Sequence, residues 1–381
     1  MKMGDFEKAE HYMSMLIKDT QLNDTVQKAR YYSNLSVICN EQMNFDTALY
    51  WSEKALQLKP SDLNQLLGIY NNVGLSYLHK NETNQALPYF LKIIDVCAYI
   101  APAKRSLLIL AYMNLGALYV RQKNESKALE YLFKVIDILQ NSLPDNYSTL
   151  AVAYTHIGVV YLNTCDSKSA LFYLLKALEI QQRILPVKHP TLVITYTNLA
   201  AAYFAQSNYM EIYDLCQKAL EIIGSTLNHA TLPIIMFLLG KFYQIKENPS
   251  EALMYFHKSL DAYAKATLPL SLSMVDIYQG LADTYMQQSD FKNAIKYYEM
   301  AISLLHTYDH HKPVYLYVML SYAYGMNSDF ERASQYTELA LDVGRSTLPA
   351  NDKYIQLAKE HQLMIRLMQN GSCNSSKTPY K

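Results

Sequence analysis

The chain has 381 residues, of which 34 are Lys or Arg and 34 are Asp or Glu, so its formal net charge is zero. This balance excludes the strong positive field that attracts nucleic acid or an anionic membrane, and we expect neither partner. The opening MKMGDFEKAEHYM is too polar for a secretory signal, and no apolar run approaches the ~18 residues of a membrane-spanning helix. Five scattered cysteines without a C-x-x-C pair favour reduced thiols, which predicts a cytoplasmic protein.

Residues 1–22 predict the second helix of an incomplete repeat. The stretch GDFEKAEHYMSML (4–16) matches the turn and second helix of the repeats that follow, with Ala9 at a small-residue position. Its first helix is missing, which would leave an apolar face exposed. Either the chain is the later part of a longer protein, or another segment covers this face.

Residues 23–345 predict eight tandem copies of one helix-pair unit. In six of the eight copies a small residue is followed by Tyr three positions on and Ala twelve positions on, as at Gly158, Tyr161 and Ala170, while Cys39 and Ile212 replace one of these in the other two. Intervals near 42 residues are typical of a stacked array. The chain holds 34 tyrosines, which indicates a recurrent position that Tyr fills. The copies are aligned on Ser36, Gly74, Gly116, Gly158, Ala200, Gly240, Ala282 and Ser321.

Within a copy, apolar and small residues recur at helical spacing, as at Tyr154, Ile157 and Tyr161, and no strand-like alternation competes. Polar turns such as NTCDSK (163–168) separate two helices, and Leu-Pro pairs such as 143–144 end the second helices. Small residues let the two helix backbones approach closely. The predicted fold class is therefore all-α, an antiparallel helix-pair solenoid.

The stretch HPTLVITYTNLAAAY (189–203) resembles the linker and first helix of tetratricopeptide repeats in the 42-residue form seen in kinesin light chains. The resemblance implies a right-handed superhelix whose first helices line a concave groove. It also implies a scaffold for protein partners. Matching asparagines of that family contact peptide backbones, a role that Asn72, Asn114 and Asn198 would inherit.

The end of the chain differs from the repeats. Residues 346–370 predict a capping helix, because NDKYIQLAKEHQLMIRLMQ (351–369) combines an apolar side with a charged one. The polar stretch GSCNSSKTPYK (371–381) predicts a disordered tail.

Known catalytic motifs are missing from the sequence, including the P-loop, the nucleophile elbow and H-E-x-x-H, so we expect no enzyme activity and no cofactor. His306, His310 and His311 place imidazoles one helical turn apart, but they lack an evident third ligand. His311 also falls in the linker where His189 sits in another copy. We therefore predict no metal site, and we expect Trp51 to pack against its neighbours.

One stripe of the first helices predicts a peptide-binding groove. The stripe has three positions on each first helix. The first of these positions repeats asparagine, whose side chain offers both a donor and an acceptor to the backbone of an extended peptide. The alternative is that these amides bond within their own helix or face water. The predicted groove residues are Asn34, Asn72, His79, Asn114, Arg121, His156, Asn163 and Asn198.

The same stripe is largely apolar in two of the last three copies, which predicts contact with a partner helix or self-association through this C-terminal face. Alternatively, the capping helix covers it. The residues concerned are Leu238, Lys241 and Ile245, then Gly280, Asp283 and Gln287, then Met319, Tyr322 and Met326.

These patterns predict a non-catalytic protein–protein interaction scaffold, or adaptor, that binds an extended peptide in its concave groove. The alternative is the regulatory or targeting repeat region of a larger enzyme whose catalytic domain, for example a transferase, lies upstream of residue 1.

Overall fold

A computed structural model describes residue 15 and residues 24–99, 105–140, 146–224, 231–265, 274–305, 311–349 and 351–369. Within these ranges the chain forms helices and no strand, which confirms the predicted all-α, helix-pair repeat fold. The predicted helix of residues 1–22 (apart from Met15) and the tail at 371–381 lie outside the described residues, and the boundaries at 23, 346 and 371 stay predictions. The helices are α1 (Thr25–Glu41), α2 (Phe45–Gln57), α3 (Leu63–His79), α4 (Thr83–Tyr99), α5 (Arg105–Arg121), α6 (Glu125–Gln140), α7 (Tyr147–Asn163), α8 (Ser167–Ile184), α9 (Pro190–Ala205), α10 (Met210–Ile223), α11 (Leu232–Ile245), α12 (Pro249–Lys265), α13 (Met274–Gln287), α14 (Phe291–Ser303), α15 (His311–Met326), α16 (Phe330–Thr347) and α17 (Lys353–Gln369).

The helices from α1 to α16 form antiparallel pairs, each joined by a tight turn whose hydrogen bonds recur. After α5, the Asn124 N–H donates to the Tyr119 carbonyl at 2.9 Å, and the Lys123 N–H donates to the Val120 carbonyl at 3.0 Å. Asn124 then caps α6 by accepting from the Lys127 N–H at 3.2 Å. This arrangement ends one helix and starts the next without leaving backbone groups unsatisfied. The equivalent left-handed positions, all with φ between 54° and 64°, are Met43, Asn81, Lys123, Cys165, Ser207, Glu247, Ser289 and Ser328.

A glycine or another small residue lies where the two helices of a pair cross. A Cβ at Gly74 would lie 2.6 Å from Cε1 of Phe90, and one at Gly158 would lie 2.6 Å from Cγ of Leu174. No side chain fits at such distances unless the helices separate or the facing side chain moves. The small-residue position predicted from the sequence is thus a point of close helix contact.

The recurrent tyrosine position is explained by ring stacking. Tyr119 on α5 stacks on Tyr131 of α6, with ring centroids 5.6 Å apart and planes within 3°. Nζ of Lys134 lies 4.7 Å from the centroid of Tyr131, and Nζ of Lys127 lies 5.2 Å from that of Tyr119. Both tyrosines of such a pair therefore recur at the repeat interval. The same stacking joins Tyr77 to Tyr89, Tyr161 to Tyr173, Tyr243 to Tyr255, Tyr285 to Tyr297 and Tyr324 to Tyr336.

The chain divides into a first unit, Met1–Val187, and a second unit, Lys188–Lys381. The first contains helices α1–α8 and a core that runs through the pairs from Leu67 to Ala177. The second contains α9–α17. Its last helix, α17, packs on α15 and α16 through Ile355 and Ala358, which join the buried cluster of Val314 and Leu341.

Candidate protein-binding faces

Within the first unit, side-chain hydrogen bonds connect consecutive first helices, the N-terminal helices of each pair. Asn72 on α3 donates from Nδ2 to the Ser33 carbonyl of α1 at 3.3 Å, and Asn114 on α5 donates from Nδ2 to Oδ1 of Asn71 on α3 at 2.8 Å. Arg121 donates from Nη1 to the Leu78 carbonyl at 2.7 Å. Helices α1, α3 and α5 therefore lie side by side. We call the surface that α1, α3, α5 and α7 share the first-helix face of the first unit.

The predicted asparagines occupy two different environments on this face. Asn72 is buried and Asn114 is half-buried, and the donors of both bridge to neighbouring helices. Asn34 on α1 and Asn163 on α7 are exposed. The first two asparagines fix the spacing of the helices, whereas the last two face outward.

His79 and Arg121, which end α3 and α5, are exposed at equivalent positions of neighbouring first helices. Burial lowers the pKa of His79, the nearby Arg121 lowers this pKa further, and Glu41 at the end of α1 opposes both effects. The His79 ring also stacks on Phe45, with centroids 5.2 Å apart. Glu41, His79 and Arg121 therefore form a polar track in which the histidine is neutral at pH 7.

His156 lies in the middle of α7 and is half-buried. Its Nδ1 atom is buried and has no hydrogen-bond partner among the described residues. Burial lowers the pKa of this imidazole. Asn198, the last predicted groove residue, belongs to the second unit, where it is half-buried on α9.

The second unit carries a cavity of about 510 Å³ on the surface formed by its first helices α11, α13 and α15. Six of the nine positions that the sequence singled out in this half line it, while Leu238, Lys241 and Gly280 do not. The sequence analysis does not identify the other lining residues. One of them, Met286, is adjacent in sequence to the predicted Gln287. The apolar lining residues are Ile245, Met286, Phe291, Met319, Tyr322 and Met326, joined by Tyr315. The polar ones are Gln244, Asp283, Gln287 and Ser289.

Trp51 packs as expected. Its ring stacks on Tyr32, with centroids 5.5 Å apart, and meets Tyr50 edge-on at 5.0 Å. Its buried Nε1 finds no hydrogen-bond partner in the described part of the chain.

Among the described residues, no three His, Cys, Asp or Glu side chains come together as a metal site would require. His306, His310 and the side chain of His311 lie outside that description. None of the described helices is long and apolar enough to cross a membrane.

Comparison with known proteins finds tetratricopeptide repeats in parts of the chain. Models of the tetratricopeptide repeat match residues 107–183, 191–265 and 275–304. A chain in the APC/C hetero-tetramer Cut9–Hcn1 is 15% identical with a TM-score of 0.62, and the alignment covers 94% of this chain and 58% of that one. The apo form of RapI is 13% identical with a TM-score of 0.54, and the alignment covers 97% and 99% of the two chains. No curated protein sequence matches the chain.

Another solved structure is less similar. A putative kinesin light chain of Podosopora anserina, with nearly identical TPR-like repeats, is 20% identical with a TM-score of 0.42. The alignment covers 54% of this chain and 99% of that one. At such identities, likeness to a solved structure shows the fold alone, and this chain spans only 58% of the length of the Cut9–Hcn1 chain.

Stacked helix pairs with a small residue at each crossing define the class of helical-repeat scaffolds. The chain contains tetratricopeptide repeats over the matched residues, and its structural neighbours include a kinesin light chain-like repeat protein. Repeats of this type generally mediate protein–protein interaction and are typically non-catalytic.

Proposed function

We propose that this protein is a non-catalytic adaptor of the cytoplasm that binds an extended segment of a partner protein across the first-helix face of the first unit. A cytoplasmic location agrees with the thiols of Cys165 and Cys216, neither of which forms a disulfide within the described residues.

One observation carries the proposal: polar side chains are exposed at the same position on four consecutive first helices of a single unit. These residues are Glu41, His79, Arg121 and Asn163, on α1, α3, α5 and α7, and Asn34 is also exposed two turns earlier on α1. An extended peptide that crosses these helices would meet a polar side chain on each of them. Backbone hydrogen bonds would supply affinity that does not depend on the peptide sequence.

The charges on this face favour a peptide of low net charge. Arg121 is opposed by Glu41, and the lowered pKa of His79 keeps that imidazole neutral at pH 7. A strongly acidic peptide would therefore find little positive charge on this face to balance its own negative charge. Asn72 and Asn114 contribute indirectly, because their bonds to neighbouring helices hold the face at a fixed spacing.

The test is peptide selection with a display library on three proteins: the unchanged chain, a face variant and a matched control. The face variant carries Asn34→Ala, Asn163→Ala and Arg121→Ala. The control carries Gln57→Ala, Gln182→Ala and Arg183→Ala, which remove two amides and one arginine from exposed positions of the second helices α2 and α8. Melting curves establish that all three fold.

We expect the unchanged chain and the control to enrich the same peptides, and the face variant to bind them about tenfold more weakly or worse. Equal enrichment by the face variant would contradict the proposal. So would a selection in which none of the three proteins enriches any peptide.

A further inference from the structure

The cavity of the second unit is lined mainly by three consecutive first helices, with Ser289 and Phe291 added by the turn and the start of α14. Ile245 ends α11, Met286 lies near the end of α13, and Met319 and Met326 lie on α15. The volume of about 510 Å³ falls within the range of pockets that bind small molecules or side chains. Helix α17 supplies none of the described lining residues. It packs against this wall through two edge-on ring contacts, His361 on Tyr322 with centroids 5.2 Å apart and Tyr354 on Tyr315 with centroids 5.9 Å apart.

The charge in the cavity wall is already compensated within the protein. Asp283 is the one carboxylate among the lining residues. Its Oδ1 accepts from the Tyr298 hydroxyl at 2.7 Å and from the Tyr315 hydroxyl at 3.5 Å, and its Oδ2 lies 3.6 Å from Nζ of Lys241. Asp276 and Lys312, which also join α13 to α15, form a second ion pair. A charged ligand would therefore lose hydration on entering and find no opposite charge that is not already engaged.

The remaining wall suits apolar side chains of varied shape. Three of its residues are methionines, whose unbranched thioether side chains adapt to different partners. Phe291, Tyr315 and Tyr322 add aromatic surface. Gln287 is exposed at the rim, where its Nε2 donates to the Gln244 carbonyl at 3.5 Å and its Oε1 can accept from a peptide N–H.

We infer that this cavity is a second docking site, which takes an uncharged segment of a partner polypeptide through two large apolar side chains at alternate positions. In an extended segment, side chains two residues apart lie on the same side, about 7 Å from each other. Both can therefore enter one cavity while the backbone stays at the rim. The site is independent of the first-helix face of the first unit, so the two can succeed or fail separately.

The test uses methyl NMR of the full chain labelled with [methyl-¹³C]methionine. Signals of Met286, Met319 and Met326 are assigned by single Met→Leu substitutions. Met254, exposed on α12 and absent from the cavity wall, is the internal reference. The probes are capped pentapeptides, Ac-Ser-X-Ser-Z-Ser-NH₂, in which X and Z take every combination of Leu, Met, Ile and Phe.

We expect some of these peptides to shift the three cavity methyls saturably while the Met254 signal stays in place. Replacing X or Z by Lys or Asp should weaken binding about tenfold or more. A Gln287→Trp variant, which fills the rim, should weaken it similarly. Gln288→Trp changes the neighbouring exposed residue outside the wall and should leave affinity within about twofold.

The inference is overturned if no member of the panel moves the cavity methyls up to its solubility limit. Binding of the Lys or Asp peptides as tightly as the apolar ones would overturn it too, as would equal shifts at Met254. Loss of peptide selection in the Asn34, Asn163 and Arg121 variant bears only on the first unit and leaves this result unaffected.

Discussion

Ser207 shows what a single turn residue contributes to these repeats. Its φ of 58° lies in the left-handed region, where a side chain costs about 1 kcal/mol relative to glycine. The conformation persists because it closes the turn: the Ser207 N–H donates to the Phe204 carbonyl at 3.0 Å, and the Asn208 N–H donates to the Tyr203 carbonyl at 2.9 Å. Eight such positions carry residues other than glycine, so every described turn within a helix pair carries this strain.

We therefore predict that Ser207→Gly stabilises the second unit by about 0.5 kcal/mol, since relief of the strain exceeds the extra entropy of the unfolded chain. Ser334→Gly, in the interior of α16, is the matched control and should destabilise by a similar amount. Urea unfolding followed by circular dichroism measures both. A loss of stability in Ser207→Gly would show that the serine has a further role in the turn.

The tyrosine pairs show what the residue pattern predicts and what it does not. The sequence has a Tyr three positions after seven of the eight aligned small residues, and Tyr119 is one of these. It does not predict that Tyr131, twelve residues later, lies parallel to that ring at 5.6 Å. Ring contacts depend on the angle between two helices, and spacing along one helix does not encode that angle.

At the scale of one element, α3 holds two glycines with opposite surroundings. Gly74 faces α4, and a Cβ there would lie 2.6 Å from the Phe90 ring. Gly68 lies six residues earlier, and a Cβ there would meet nothing within 4 Å. One glycine is required by packing, while the other only weakens its helix.

We predict that Gly74→Ala destabilises the first unit by about 1–3 kcal/mol, because the helices must move apart or Phe90 must leave its place. Gly68→Ala should instead stabilise it by about 0.5–1 kcal/mol through better helix propensity. Thermal and urea unfolding of the two variants give the comparison. Similar effects from both substitutions would mean that close contact is not what selects glycine at position 74.

The stripe positions show which part of a site the sequence can predict. Helical spacing and repeat register place Met319, Tyr322 and Met326 correctly on one surface, and the structure adds the cavity that they line. The hydrogen-bond partners of the asparagines are harder to predict from the sequence. Asn72 and Asn114 belong to the predicted stripe, yet their donors reach neighbouring helices, and one helix's pattern does not reveal what lies on the next.

At the scale of the whole molecule, buried histidines make stability depend on pH. Burial lowers the pKa of His361 to about 4, and the pKa values of His79 and His156 are also lowered. Between pH 6.5 and 4 the unfolded chain binds a proton at His361 that the folded chain does not. The free energy of unfolding therefore falls as pH decreases through this window, and the contribution of His361 is fully present above it.

For His361 the loss is on the order of 3 kcal/mol at most, and His361→Leu should remove it. The measurement is the urea midpoint from pH 7 to pH 4.5 for both proteins. We expect the urea midpoint of the variant to fall less as pH decreases. The fall that remains comes from other titratable groups. Parallel curves would mean that His361 stays uncharged, or is equally protonated, in both states.

Trp51 gives the molecule a built-in optical reporter. It is the only tryptophan of the chain, and it stacks on Tyr32 within the first helix pair. Its fluorescence therefore follows the pair formed by α1 and α2, while far-ultraviolet ellipticity follows all the helices together. In a repeat array each pair touches only its neighbours, so a difference between the two signals measures how far unfolding of that pair precedes unfolding of the rest.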